Sequence, residues 1–360
     1  MNSQYADQIR NLIINHPLKI DEQTIAKGKK TSLASSEFLT NKEQGDWAEG
    51  LVYSSINKAL PEFEAVHYGR DESLSAGDEG FDEFYQKYQK ELNTVGKKPD
   101  ILIFHQKDIG DKSKISENLK KPEFIQKAVA ALEVRSSSFL SQRYDDFFQK
   151  KHSRLLKECY EIRDTIFKST ELRELLKIKK EAIYEELKDA KDSTFIDLSF
   201  KFPSYKTSEN LKTLSKWMKL LKENMKELKK RDSLSITPKY EDLAFVNRWI
   251  QKFQIPHFYL QVFFDKAYVL SFQKILEISS DPEKENKTFF VEEDIKNQGK
   301  TTIKINISEA QEIIGKISIP DHYSSMKELE RGRLLFYVKF KDGIGYLDVE
   351  KFKSEVLSNE

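Results

Sequence analysis

Cysteine is nearly absent: Cys159 stands alone in 360 residues, so no intrachain disulfide can form. No Cys/His group has zinc spacing either, and a reducing compartment, the cytoplasm, is expected. Charge of one sign is lacking as well. Sixty Lys and Arg against 59 Asp and Glu leave a net charge of +1, which excludes a uniformly basic nucleic-acid coat. It permits a basic cleft beside an acidic site. No apolar run approaches membrane-spanning length, and the start, Met1 to Asp7, has neither the basic nor the apolar region of a signal peptide. Repeats and low-complexity tracts are missing too. The six histidines are scattered, without a metal-protease or HNH-like arrangement, and His257 reads as a hydrogen-bonder at a strand entry. Residues 297–301, Asn-Gln-Gly-Lys-Thr, imitate the end of a phosphate-binding loop, but Asp294 stands where an earlier glycine is required, which argues against ATP.

What the chain does have is bulk for a core. Hydrophobic residues make up 38%, with 24 Phe and 15 Tyr, enough large apolar side chains for a packed interior. The length suits one large domain with insertions or two ordinary ones.

The pattern along the chain is mixed α/β (α+β), and it divides at visible changes of composition. Residues 1–43 are polar and read as an N-terminal helical arm. Residues 44–143 read as the first part of a core. Trp47, Leu51, Val52 and Ile56 recur at helical spacing before Pro61. A strand at 65–68, a Gly/Asp/Ser-rich loop at 69–80 and a helix at 81–92 follow. Two short apolar runs, 100–104 and 129–134, have the character of strands buried on both faces. Residues 144–232 form a Lys/Glu-rich helical insertion, with one long helical stretch at 144–190 and another helix at 208–230. The core resumes over 233–280: a strand at 234–237, a helix at 240–253 and a strand at 258–264. Strand–helix–strand predicts a parallel pair there, and 267–272 an antiparallel neighbour. The last part, 281–360, is mixed, with strands at 302–305 and 334–338, and is a candidate for DNA recognition or dimer contact. The aromatic-rich 258–264 run is read as sheet core and not as a base-stacking platform.

Chemistry concentrates on the two short strands. In Leu132-Glu133-Val134-Arg135 the period of two puts Glu133 and Arg135 on one face. A carboxylate in so apolar a strand costs several kcal/mol, roughly, unless something offsets its charge, and a hard divalent cation can. Asp100 opens the other strand, after Pro99. Paired strands would bring both carboxylates and the arginine to one edge. Mg²⁺ takes one or two carboxylates with water and phosphate oxygens, so Asp100 and Glu133 suffice, with the main-chain carbonyl of Val134 as a third donor. An ion there would activate water and polarise a scissile phosphate.

Lys98-Pro99-Asp100, a hydrophobic strand and Glu133-Val134-Arg135 resemble the PD…(D/E)XK nuclease motif. Glu49, in Gly45-Asp46-Trp47-Ala48-Glu49 on the preceding helix, is similar to the glutamate that often joins that superfamily's metal site. With Ser136 and Ser137 after the motif and the 256–264 strand, the chain looks most like type II restriction endonucleases of the AccI sort. That resemblance implies a restriction-endonuclease core with a mixed central sheet, Mg²⁺, and Asp100, Glu133, Arg135 and Glu49 as site residues. It further implies a homodimer on double-stranded DNA, cutting a short palindrome resembling GTMKAC, with a methyltransferase acting separately.

One position departs from the pattern: Arg135 stands where the superfamily has lysine. Arginine cannot be a general base, since its pKa stays above about 12. Arg135 is then expected to orient the attacking water or clamp the phosphate; the alternatives are that Lys98 or another lysine fills the place, or that the site is inactive. Ser136 and Ser137 are candidates for phosphate contact or for capping the next helix, and Arg143 for the DNA path or a solvent-facing role. The competing functions are a structure-directed repair nuclease and a non-catalytic DNA-binding protein.

Overall fold

The computed structural model describes residues 2–20, 34–69, 74, 76, 78–230, 233–294, 300–329 and 332–358. The chain forms two compact units, 1–141 with 234–360, and 142–233.

The first unit is a mixed α/β domain around a seven-stranded sheet. Its strands are β1 (Phe63–His67), β2 (Ile101–His105), β3 (Ala130–Ser136), β5 (His257–Val262), β6 (Ala267–Ser271), β9 (Gln311–Ile317) and β12 (Gly345–Leu347), in the order β1-β2-β3-β5-β6-β9-β12. Every neighbouring pair is antiparallel except β3 with β5. A parallel pair needs a crossover, and here it is the chain from 137 to 256 that supplies it. The expected parallel partner of β5, the 234–237 strand, is instead β4 (Ser235–Ile236), which pairs antiparallel with β8 (Lys300–Asn306) in a small sheet with β7 (Phe289–Asp294). Two residues are too short a strand to fill a central place. A third sheet is the ribbon β10 (Asp321–Leu329) with β11 (Arg333–Lys341).

Central strands are continuous in apolarity because both faces of the sheet are covered. One face packs on α1 (Asn2–Ile14), the Tyr240–Phe253 helix and the Phe272–Ser279 helix, through Leu102, Phe104, Ala131, Tyr259, Trp249 and Ile275. The other packs on α2 (Ser36–Ala59) and the C-terminal Val349–Phe352 turn, through Ile101, Ile103, Leu132, Leu260 and Trp47. Ala6, Ile9 and Ile13 of α1 are buried in the first of these cores, so this helix does not stand off the domain as an arm. Likewise β9 and β12 carry the C-terminal region into the central sheet.

The second unit is helical and has its own core, including Cys159, Ile166, Leu176, Leu214, Met218 and Leu221. The stretch expected as one helix is three, Ser141–Lys168, Thr170–Lys179 and Glu181–Lys188. Ser169 makes the first break: its side chain accepts from the Leu172 N–H at 3.3 Å, the act of an N-cap.

Candidate active site

β3 presents Ala131, Glu133 and Arg135 on one face, and the parallel register sets His257, Tyr259 and Gln261 of β5 opposite them. Over this face lies the Tyr240–Phe253 helix, whose first turn carries Asp242. Ahead of β2, Gly96 ends α3 (Phe81–Thr94) with φ +94°, pressed so closely to that helix that a Cβ would sit 2.3 Å from the Phe245 carbonyl oxygen. The next residue, Lys97, donates its backbone N–H to the same oxygen at 3.0 Å. The main chain is thereby steered so that the Lys97 side chain enters the site.

Four charges interlock there. Lys97 Nζ donates to Glu133 Oε1 at 2.6 Å and to Asp242 Oδ2 at 2.8 Å. Arg135 Nη2 lies 2.8 Å from Glu133 Oε1 and 3.5 Å from Asp242 Oδ2, as an ion pair without hydrogen-bond alignment. The side chain of Glu133 is 3% exposed, whereas Arg135 and Asp242 keep 25% and 23%, so the cluster meets solvent on the Arg135 and Asp242 side with Glu133 at its floor. Burial would push the Glu133 carboxyl up, but Lys97 and Arg135 outweigh it and hold it below the usual carboxylate range. Asp242 is likewise held down against burial by Lys97, Lys239 and Arg135.

Asp100 is fixed from several sides. Its N–H donates to the Leu132 carbonyl at 2.9 Å, and its own carbonyl accepts from Tyr68 and Gly69. The Val134 N–H donates to Asp100 Oδ2 at 2.7 Å, so the carboxyl takes the place of the next rung of the β2–β3 ladder. Burial raises the Asp100 carboxyl well above its ordinary value, and the charges of Glu133 and Glu49 raise it further. Glu133 Oε2 is buried with no hydrogen-bond partner among the described residues. Two buried carboxyl groups, one with an unpartnered oxygen and the other raised by neighbouring negative charge, fit a hard divalent cation, which would favour both in the charged form. Among the described residues no three His, Cys, Asp or Glu side chains converge at metal-ligand spacing. Glu49 acts on Asp100 through its field, from α2.

The other expected residues lie around this centre. Lys98 is turned onto α3, paired with Glu91 and 5.4 Å above the Tyr68 ring, while its neighbour Lys97 occupies the place beside Glu133. Ser136 ends β3, and the Ser137 N–H donates to the Val262 carbonyl at 2.9 Å. With the amide of Gln44 turned to face donors, its oxygen also accepts from Ser137 and Ser138 N–H and Ser136 Oγ. Ser141, where the following helix begins, is bound instead by Asp265, which accepts from both Ser141 N–H and Ser141 Oγ. Arg143 is exposed in the first turn of that helix. Of the 69–80 loop, residues 70–73, 75 and 77 lie outside the described residues, as do 297–299 of the phosphate-loop mimic, whose Lys300 begins a strand.

Lys97, Asp242, Tyr259 and Gln261 escaped the sequence reading. His257, expected to hydrogen-bond at the strand entry, is instead fully buried with neither ring nitrogen hydrogen-bonded among the described residues; Tyr259 OH and Gln261 Oε1 are likewise unpartnered there, and burial lowers the His257 pKa to about 4. Polar side chains at 257, 259 and 261 are a period-two signal that the apolar character of the strand hid.

The family model for AccI restriction endonuclease matches residues 3–360. No curated protein and no solved structure matches the chain. Among the described residues no helix is long and apolar enough to cross a membrane.

Proposed function

The chain belongs to the AccI restriction endonuclease family and is a type II site-specific deoxyribonuclease, and we propose that it works with Mg²⁺ held by Asp100 and Glu133 on a PD-(D/E)XK core. The observation that carries this reading is the buried Glu133 Oε2, without a hydrogen-bond partner among the described residues, near an Asp100 carboxyl that burial and the charges of Glu133 and Glu49 raise. Glu133 Oε2 and Asp100 Oδ1 are the protein donors, with the Val134 carbonyl as the third and Glu49 adding negative potential. When bound, Mg²⁺ supplies Lewis-acid polarisation of the phosphate and a lowered pKa for water.

The chain's own residues orient the rest. The Val134 N–H fixes Asp100 by holding Oδ2, which leaves Oδ1 for the ion. Arg135, a quarter of whose side chain is exposed although Nε and Nη2 are buried, turns that exposed part of its charged guanidinium side toward the scissile phosphate or the attacking water. It stays charged throughout and takes no proton. Lys98, Ser136, Ser137 and Arg143 are proposed to touch the DNA backbone.

The enzyme is further proposed to act in the cytoplasm as a homodimer on a palindrome resembling GTMKAC, with a separate methyltransferase protecting the host site. Dimer symmetry would mirror that of the site. Base contacts are assigned to the 69–80 loop and the region after Glu292.

Incubation with plasmid and Mg²⁺ should yield discrete fragments, and chelation should stop the reaction. Glu133→Ala should lower the rate by at least about 100-fold. A smear would favour a structure-directed nuclease, and bound but intact DNA a non-catalytic role. Cleavage surviving in Glu133→Ala would remove the metal assignment.

A further inference from the structure

We propose that Lys97 is a positioning residue for cleavage: anchored by Asp242, its ammonium fixes Glu133 Oε1 so that Oε2 alone is presented to the metal ion. The inference rests on the reading of Glu133 as a metal ligand. Lys97 lies outside the motif, three residues before Asp100 and 36 before Glu133. Its approach is enforced by the backbone, because the Gly96 turn against the Tyr240–Phe253 helix leaves no room for a Cβ.

The division of labour between the two cations follows from their contacts. Lys97 is 14% exposed, and its ammonium is occupied by two carboxylates at 2.6 and 2.8 Å. A buried ammonium is retained only when it is so paired. Arg135 meets the same Glu133 oxygen but stands farther from Asp242 and keeps its Nε unpartnered. Arg135, with 25% of its side chain exposed against 14% for Lys97, is therefore the cation that can face phosphate or water, and Lys97 has its contacts committed to the protein. Both cations converge on Oε1, leaving Oε2 without a hydrogen-bond partner among the described residues. An ammonium beside Glu133 thus comes from the segment before β2, although the position after Val134 holds arginine. Asp242, 145 residues further along, completes the arrangement by holding Lys97 from the helix side.

The test uses the full-length protein and separates positioning from packing. Wild type, Lys97→Met and Asp242→Asn are compared in Mn²⁺ affinity by calorimetry, plasmid cleavage at saturating Mg²⁺, and thermal melting. In Lys97→Met, cleavage should fall about 10- to 100-fold, the usual effect of losing a group that orients a metal ligand. Mn²⁺ affinity should fall by much less than the cleavage rate, because removal of the positive neighbour favours the cation and offsets the lost orientation of Oε2. Asp242→Asn should show the same split to a smaller degree, and it decides the matter if Lys97→Met does not fold. Cleavage by Lys97→Met within about twofold of wild type, or a parallel fall of cleavage, Mn²⁺ affinity and melting temperature, would overturn the proposal. Wild type that binds no Mn²⁺, with Glu133→Ala cleaving normally, sinks the metal-site reading itself and Lys97's role with it. That outcome is distinct from a failure confined to Lys97.

Discussion

A Cβ on Gly69 would lie 3.1 Å from Asp100 Cα and 3.4 Å from Asp100 Oδ1, so an absent side chain is what lets the chain after β1 pass so close to the carboxylate. Gly69→Ala should therefore shift Asp100 by a few tenths of an ångström and leave the fold intact. Because misplacement of about 1 Å can cost about 100-fold in rate, we expect roughly a tenfold loss of plasmid cleavage. The melt should change by less than about 1 kcal/mol in stability. An unchanged rate would show that Asp100 tolerates displacement. His16 offers a second residue-scale test. Ser279 Oγ donates to the Ile275 carbonyl at 2.7 Å and accepts from His16 Nε2 at 2.9 Å, while His16 Nδ1 accepts from the Leu18 N–H at 3.3 Å. This neutral tautomer is satisfied, and a proton on Nδ1 would displace the Leu18 N–H. Burial lowers the His16 pKa from 6.5 to about 4. The unfolded chain thus binds the proton first, and this contribution to stability, full above pH 6.5, is lost as pH falls toward about 4. His257, lowered to about 4 by burial, acts in the same direction. His16→Gln should flatten the rise of melting temperature with pH over that window, leaving the part due to the other histidines with lowered pKa, His257 and His67.

Between residues and domain stand the elements, and their legibility varied with the physics that sets them. The Tyr240–Phe253 helix was readable to the residue, because acidic residues open it and an apolar face runs its length. Strands β2 and β5 stood out as short apolar runs, since both faces are buried. The antiparallel partner of β5, β6, was legible next to it, but its parallel partner β3 was not, because pairing across a crossover from 137 to 256 leaves no local mark. The same reason divides the site. Asp100, Glu133 and Arg135 show in the sequence because each interrupts or borders an apolar strand. Asp242 has the sequence character of an ordinary first-turn acid, favourable to the helix dipole, and only the fold brings it to Lys97. Gly96 follows α3 as glycine commonly follows a helix, but its stricter duty leaves no mark in the sequence. At φ +94° a Cβ would meet Phe245 O at 2.3 Å and Trp249 N at 2.6 Å, both backbone atoms that cannot step aside. Gly96→Ala should cost about 2 kcal/mol or more in denaturant unfolding, from the left-handed backbone and the clash together. It should also depress cleavage more than Gly69→Ala does, since Lys97 moves with it. A stable, fully active Gly96→Ala protein would mean that the turn can be remade.

At the scale of the molecule, a near-neutral net charge conceals a site whose charges are arranged in opposed pairs at the floor of one face of the sheet. The cores are also separate. Leu132 belongs to the sheet core on the α2 side, while Leu214, Met218 and Leu221 belong to the core of the helical unit 142–233. Each unit buries its own apolar side chains and can lose them in its own cooperative step. Scanning calorimetry should accordingly resolve two transitions. Met218, with no exposed surface, should cost about 2–5 kcal/mol when cut to alanine, through lost transfer energy and the cavity left behind. In a unit of this size that lowers its own transition by roughly 8 °C or more. Leu132→Ala should lower the other transition, by roughly 4 °C or more because that unit is larger. If Met218→Ala moves both transitions together, the units unfold as one, and the helical insertion draws its stability from the whole chain and not from its own core.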